Sequence, residues 1–381
     1  MTYFDKYVSN TCAGSGNQMF FNMNEDEVRT GRMFYKIFAG GEYNYSILFS
    51  NIIDTTFFNG AVSHANLICD SWKILGARAG KCKSIPEGKD LADMTLSDTD
   101  ENADIFVTDL RELTFNSNKS KEVMPGEFFA TDPIKLNFNK NEYLCLEITF
   151  TGKMIPHHRE TLLPVYIKSG TGWEYSNEMP FASMIGCDRP IKARIAYLGD
   201  SITQGIGAGY NTYSHWNARL SEKIGEEYAY WNPGLGFARA HDAASDGAWL
   251  YKAKQSDIVF VCLGVNDIGD SAEQIKSDLK KIVDTLKKEG KTVILQTIPP
   301  FNYEENTIAD WKSINDYVRN ELSQCVDFVF DNVPYLGDSE QQSHIAKFGG
   351  HPNSDGCKIW SDALYESLRC KTENTINGDM I

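Results

Sequence analysis

The chain has 381 residues, of which 42% are hydrophobic and 23% charged, and carries a net charge of −15 at neutral pH. That length exceeds what one core fills, so two domains are expected, and the composition is that of an ordinary globular protein and excludes a disordered one. The acidic balance excludes nucleic acid and anionic membrane as main partners, because phosphate binding needs a basic surface. A neutral or cationic substrate is easier to accommodate.

No run reaches the ~20 apolar residues of a membrane span. The start, Met1-Thr2-Tyr3-Phe4-Asp5-Lys6, lacks a basic stretch followed by an apolar one, so a cytoplasmic location is expected. Nine cysteines are an odd number without a Cys-x-x-Cys pair, and several, such as Cys262, fall within apolar runs. They read as reduced, buried thiols rather than as disulfides or zinc ligands.

Up to about residue 185 the apolar pattern is short and alternating, as in Tyr45-Ser46-Ile47-Leu48-Phe49 and Tyr143-Leu144-Cys145-Leu146-Glu147-Ile148. Such runs, separated by Gly, Asn, Asp and Pro clusters, predict an all-β sandwich or jelly roll over 1–185. Residues 179–190 mix prolines with small residues and are expected to form the junction. From 190 to 381 the pattern becomes strand, helix, strand. Strands are expected at 194–198, 228–231, 257–263, 291–297 and 326–330. The clearest helix carries Ile275, Leu279, Ile282, Val283 and Leu286 at 3.6-residue spacing, opened by a Ser271 cap with Gln274 three residues on. Alternation of this kind predicts an α/β domain of flavodoxin-like type, with a parallel sheet covered on both faces and ligands at the carboxyl ends of its strands.

Four segments lie just past those strand ends. Gly199-Asp200-Ser201 follows the first strand, 232–237 (Asn-Pro-Gly-Leu-Gly-Phe) the second, and Gly264-Val265-Asn266-Asp267 the third. His351-Pro352-Asn353 precedes the last helix, which is expected from Ser354 to Cys370. A serine hydroxyl is a weak nucleophile until a base and an oxyanion site are supplied, and these segments offer an imidazole, a side-chain amide and backbone N–H groups.

In these four blocks, taken in order, the chain resembles the SGNH (GDSL-type) hydrolases. The resemblance covers the C-terminal half and implies an ester hydrolase with Ser201 as nucleophile and His351 as general base. It also implies an oxyanion hole formed by the Ser201 N–H, a glycine-block N–H and Asn266, with neither metal nor organic cofactor. The family spaces its glycine block Asn-x-Gly-x-x-Gly. Ungapped, the donor falls on Phe237; a one-residue shift puts it on Gly236, which is preferred here for its missing Cβ. The family's helper aspartate, three residues before the histidine, is replaced by Phe348. A backbone carbonyl is therefore expected to orient the imidazole, as in the Ser-His dyads of some two-domain carbohydrate esterases of the family, with Asp338, Glu340 and Asp355 as further candidates. By the same resemblance the substrate is a short acyl ester, acetyl first, of a carbohydrate. The alternatives are a lipase, lysophospholipase or thioesterase of the same chemistry and, in another class, a degenerate glycan-binding protein.

Other motifs read as structural. Gly205-Ile206-Gly207-Ala208-Gly209 lacks the sixth glycine of a dinucleotide loop, since Tyr210 stands there, and reads as a flexible lip of the site. His157-His158 is placed in a Pro-containing loop without a third metal ligand. Lys276, Lys280, Lys281, Lys287 and Lys288 form a solvated helix face. Phe57, Phe58, Trp72 and Trp173 are expected in the core of the first domain rather than as a sugar platform.

Overall fold

The computed structural model describes residues 2–374 apart from 25, 55–56, 59–60, 63–65, 83–84, 86–92, 98–104, 171, 182–183, 338–343 and 348. The chain divides into two compact units, Met1–Pro190 with Tyr210–Thr212, and Ile191–Gly209 with Tyr213–Ile381. The stretch 179–190, expected as a junction, instead gives the first unit two strands, Met179–Pro180 and Met184–Cys187. The second of these is buried and pairs antiparallel with Gly41–Ser50. A four-residue strand is too short for its period to stand out among prolines.

The first unit is all-β. Ile105–Leu113, Trp72–Cys82, Tyr143–Gly152, Val28–Lys36 and Val165–Lys168 lie side by side in that order, and a second sheet is built on Gly41–Ser50. Strand alternation is visible at Trp72-Lys73-Ile74-Leu75, where Trp72 and Ile74 are buried while Lys73 and Leu75 face out. Trp72 thus belongs to the core. Trp173 is only partly buried, packs on the cluster around Phe34, Cys145 and Ile105, and lies under the Arg32 guanidinium at 4.5 Å. The side chains of Phe57 and Phe58 lie outside the described residues.

An ion triad crosses the middle of the large sheet, with Arg32 and Glu147 buried and Arg78 half exposed. Glu147 accepts from Arg32 at 2.6 Å and pairs also with Arg78, and the Arg32 side chain is 1% exposed. Removing one member of such a group strips a buried charge of its counter-charge, which costs more than the intact group contributes. Glu147→Ala is expected to lower stability by about 3 kcal/mol, read as a lower thermal midpoint. A loss below about 1 kcal/mol, the range of exposed pairs, would contradict this account.

His157 and His158 lie on the strand Ile155–His158 rather than in a loop, paired with Met19–Phe21 and Met179–Pro180. The Pro156 carbonyl still accepts a ladder bond from Phe181, so the proline does not break the strand. His157 stacks on Phe21 at 4.3 Å, and burial pushes its imidazole down to about 3, which keeps it neutral. His158 Nδ1 lies 2.7 Å from the Gly16 carbonyl. Both are core residues. All nine cysteines are thiols rather than disulfides, and seven are buried.

The second unit is a parallel sheet of β1 (Ala193–Gly199), β2 (Tyr228–Trp231), β3 (Ile258–Cys262), β4 (Thr292–Gln296) and β5 (Phe328–Phe330), in the order β2-β1-β3-β4-β5. Its central strands are buried on both faces, which is why they read as unbroken apolar runs. Among its helices are α1 (Ser201–Gln204), α2 (Trp216–Ile224), α3 (Ala240–Ala244), α4 (Ala248–Lys254), α5 (Ala272–Lys288), α6 (Ile308–Asn320), α7 (Val333–Leu336) and α8 (Ser354–Asn374). The face Ile275, Leu279, Ile282, Val283 and Leu286 of α5 is buried as its spacing predicts. Its expected capping box does not form: Ser271 makes no side-chain cap bond, and Gln274 donates to Asp278 instead. Among the described residues no helix is long and apolar enough to cross a membrane. In this strand order the connections diverge between β1 and β3, which opens a crevice at their carboxyl ends.

Candidate active site

The chain turns from β1 directly into α1. Asp200 is extended as the N-cap, and its Oδ1 accepts the Ile202 N–H at 3.0 Å. Capping fixes the first turn, so Ser201 stands at the helix start with only 8% of its surface exposed. Its Oγ lies 2.8 Å from Nε2 of His351. These residues, 150 apart in sequence, form a hydroxyl–imidazole pair within proton-transfer reach.

His351 is held by the strand His351–Pro352, paired antiparallel with Ala346–Lys347. Gly207 backs it. A Cβ there would come within 2.5 Å of the Pro352 carbonyl oxygen and 3.0 Å of the His351 Cβ, and its φ is +97°, so the backbone approach needs glycine. Within the 205–209 segment, expected as a lip, Gly207 thus packs against the His351 and Pro352 backbone. The Phe301 ring meets His351 edge-on, with centroids 5.1 Å apart.

The 232–238 turn is fastened to α1 from the other end. Asn232 Nδ2 donates to the Thr203 carbonyl at 3.0 Å while its Oδ1 accepts the Gly234 N–H at 2.9 Å. Leu235 N–H donates to the Gly199 carbonyl at 3.0 Å. A Cβ on Gly234 would sit 2.5 Å from the Gln204 nitrogen, hence the glycine. Past β3, Asn266 lies in the one-turn helix Val265–Asp267, and its Nδ2 donates to the Ala238 carbonyl at 2.9 Å. A primary amide keeps a second hydrogen to donate. Ser201, His351, the glycine turn and Asn266 are therefore linked into one site at the carboxyl end of the sheet.

Gly236 departs from expectation. Its N–H donates to Gln204 Oε1 at 2.5 Å and is committed to the protein itself. Its neighbour Phe237 has φ +61°, the left-handed region a glycine would favour, and is 45% exposed. The ungapped spacing thus matches the backbone, and the shift to Gly236 does not.

Residues 197–359 match the model of the GDSL-like lipase/acylhydrolase family. Residues 197–359 form a GDSL-like lipase/acylhydrolase domain. No curated protein matches the chain. Solved structures similar to the hydrolase unit include a lipolytic G-D-S-L family protein from Veillonella parvula (19% identity, 45% of this chain and 96% of that one, TM-score 0.40). A psychrotrophic esterase from Pseudoalteromonas sp. (19%, 48% and 99%, 0.38) and a family 3 carbohydrate esterase from Talaromyces cellulolyticus (17%, 48% and 100%, 0.38) are also similar.

Beside Ser201 lies a group the sequence did not single out. Burial raises the Asp200 carboxyl to about 7, and the Asp267 charge adds to the effect. Burial likewise raises Asp267 to about 6, against the opposing bonds from the Ala240 and His241 N–H groups. Tyr303 beside them is raised well above its ordinary value by burial first and by these carboxylates second. Two carboxyl groups share a dry site, so the second ionises reluctantly. The signal available in sequence was only that Asp200 and Asp267 both end buried-type strands. Gln204 and Phe301 were also missed: neither carries a motif, although Phe301 lies past the end of β4.

Asp338, Glu340 and Phe348, weighed as helpers of His351, lie outside the described residues. Asp355 is exposed in the first turn of α8, where its N–H donates to Asn353 Oδ1 at 3.0 Å.

Proposed function

We propose that the chain is a serine esterase in which Ser201 Oγ attacks an ester carbonyl while His351 Nε2 takes its proton. The 2.8 Å contact between those atoms carries this reading. The developing oxyanion is bound by the Ser201 N–H, the second amide hydrogen of Asn266 and the Phe237 N–H, which takes the place expected of Gly236. His351 returns the proton to the leaving alcohol, giving an acyl-enzyme. A water deprotonated by His351 then attacks, the Ser201 bond breaks, and the acid leaves. These steps use only side chains and backbone on a flavodoxin-like sheet.

The proposed substrate is a short acyl ester, acetyl first, of a carbohydrate. Support for the sugar comes from the joining of an all-β unit to the hydrolase, the arrangement of the carbohydrate esterases that the sequence resembles. The test compares acetylated oligosaccharides with longer acyl esters of one alcohol: faster turnover of the acetates is expected. Equal or better use of long chains would replace this substrate with that of a lipase or thioesterase.

Asn266→Ala removes a donor to the developing oxyanion together with the amide's bond to the Ala238 carbonyl. It is expected to lower kcat by about 100-fold with KM little changed. A change in KM alone would assign Asn266 to ground-state binding instead.

A further inference from the structure

Phe237 combines two features that folding alone does not call for. Its backbone sits at φ +61°, where a bulky residue is strained, and the residue stays 45% exposed. The residues on either side are both tied to the site: Gly236 through Gln204, one turn after Ser201, and Ala238 through Asn266. The residue is therefore exposed between two segments fixed to the site.

We propose that Phe237 is a specificity-determining residue, an apolar wall on the acyl side of the cleft that favours short acyl groups over long ones. This rests on the esterase reading above. With the carbonyl carbon over Ser201 Oγ, three directions remain for its substituents. The oxygen takes the one toward the N–H donors. The leaving oxygen must reach His351 Nε2 to be protonated, and that side carries the Phe301 ring. The acyl substituent takes the third direction. Phe237, fastened to Asn266 and α1 rather than to the histidine, borders it.

The test measures kcat/KM of wild type, Phe237→Ala and Phe237→Gly on p-nitrophenyl acetate, butyrate and octanoate. The octanoate-to-acetate ratio is expected to rise at least tenfold in both variants. Glycine suits φ +61°, so Phe237→Gly is expected to fold with an unchanged or higher melting temperature, which keeps the comparison open if the alanine variant is unstable. A ratio within twofold of wild type, in an enzyme that hydrolyses the acetate, overturns this assignment and leaves the esterase reading standing. A change seen only when the alcohol is varied at fixed acetyl also overturns it. Failure of wild type on every ester overturns the esterase reading, and this one with it.

Discussion

Ser201→Ala is expected to lower kcat by about 10⁴-fold or more, leaving only what the oxyanion donors and substrate binding supply. The hydroxyl is the sole atom lost, and it faces His351 Nε2 at 2.8 Å rather than the core. The first turn of α1 keeps its Asp200 cap, and alanine is the best helix former, so the melting temperature should stay within a few degrees of wild type. Serine and histidine act as one unit, so Ser201→Ala/His351→Ala should be no slower than either single variant. Turnover of p-nitrophenyl acetate, with circular dichroism as the check on folding, decides the matter. Activity within tenfold of wild type would remove Ser201 from the mechanism.

Asp200→Asn should change how stability depends on pH. In the folded chain burial holds this carboxyl to about 7, against 3.8 when free, so between those values the folded state keeps a proton that the unfolded state releases. The contribution of that proton is complete below about pH 4, falls as pH rises through about 7, and is lost above it. Asparagine keeps an oxygen to cap the Ile202 N–H but never ionises. The stability of Asp200→Asn relative to wild type should therefore grow from near zero at pH 4 to on the order of 4 kcal/mol at pH 8, from roughly three units at 1.36 kcal/mol each. Asp267→Asn should act in the same direction over a window ending nearer pH 6. Denaturant midpoints between pH 4 and 8 measure this. Parallel curves for wild type and Asp200→Asn would show that the carboxyl is not held protonated.

Much of the fold was legible because periodicity follows from what an element must bury. The unbroken apolar runs of β1 and β3 announced strands covered on both faces, and the 3.6-residue spacing from Ile275 to Leu286 announced the buried face of α5. Elements of two to four residues were not legible. Met184–Cys187 was read as junction and His157–His158 as loop, since a strand that short shows no period and is specified by its partners. The Ser271 capping box does not form, and the Gln274 amide instead donates to Asp278, one turn along the same helix.

For the site, the motifs fixed which residue types stand where the chain leaves the sheet, because a nucleophile on a strand–helix turn and a donor past the next strand are local features. Ser201, Asn266 and His351 could be named on that basis. Tertiary structure alone decided the rest. It placed an imidazole 150 residues distant at 2.8 Å from the hydroxyl and turned the Gly236 N–H toward Gln204. It also left Phe237 in a glycine's conformation and partly exposed, and buried Asp200 deeply enough to hold its proton near neutral pH. Distances across the fold, the partner a donor finds and the loss of water around a carboxyl depend on segments remote in sequence, and no local pattern encodes them.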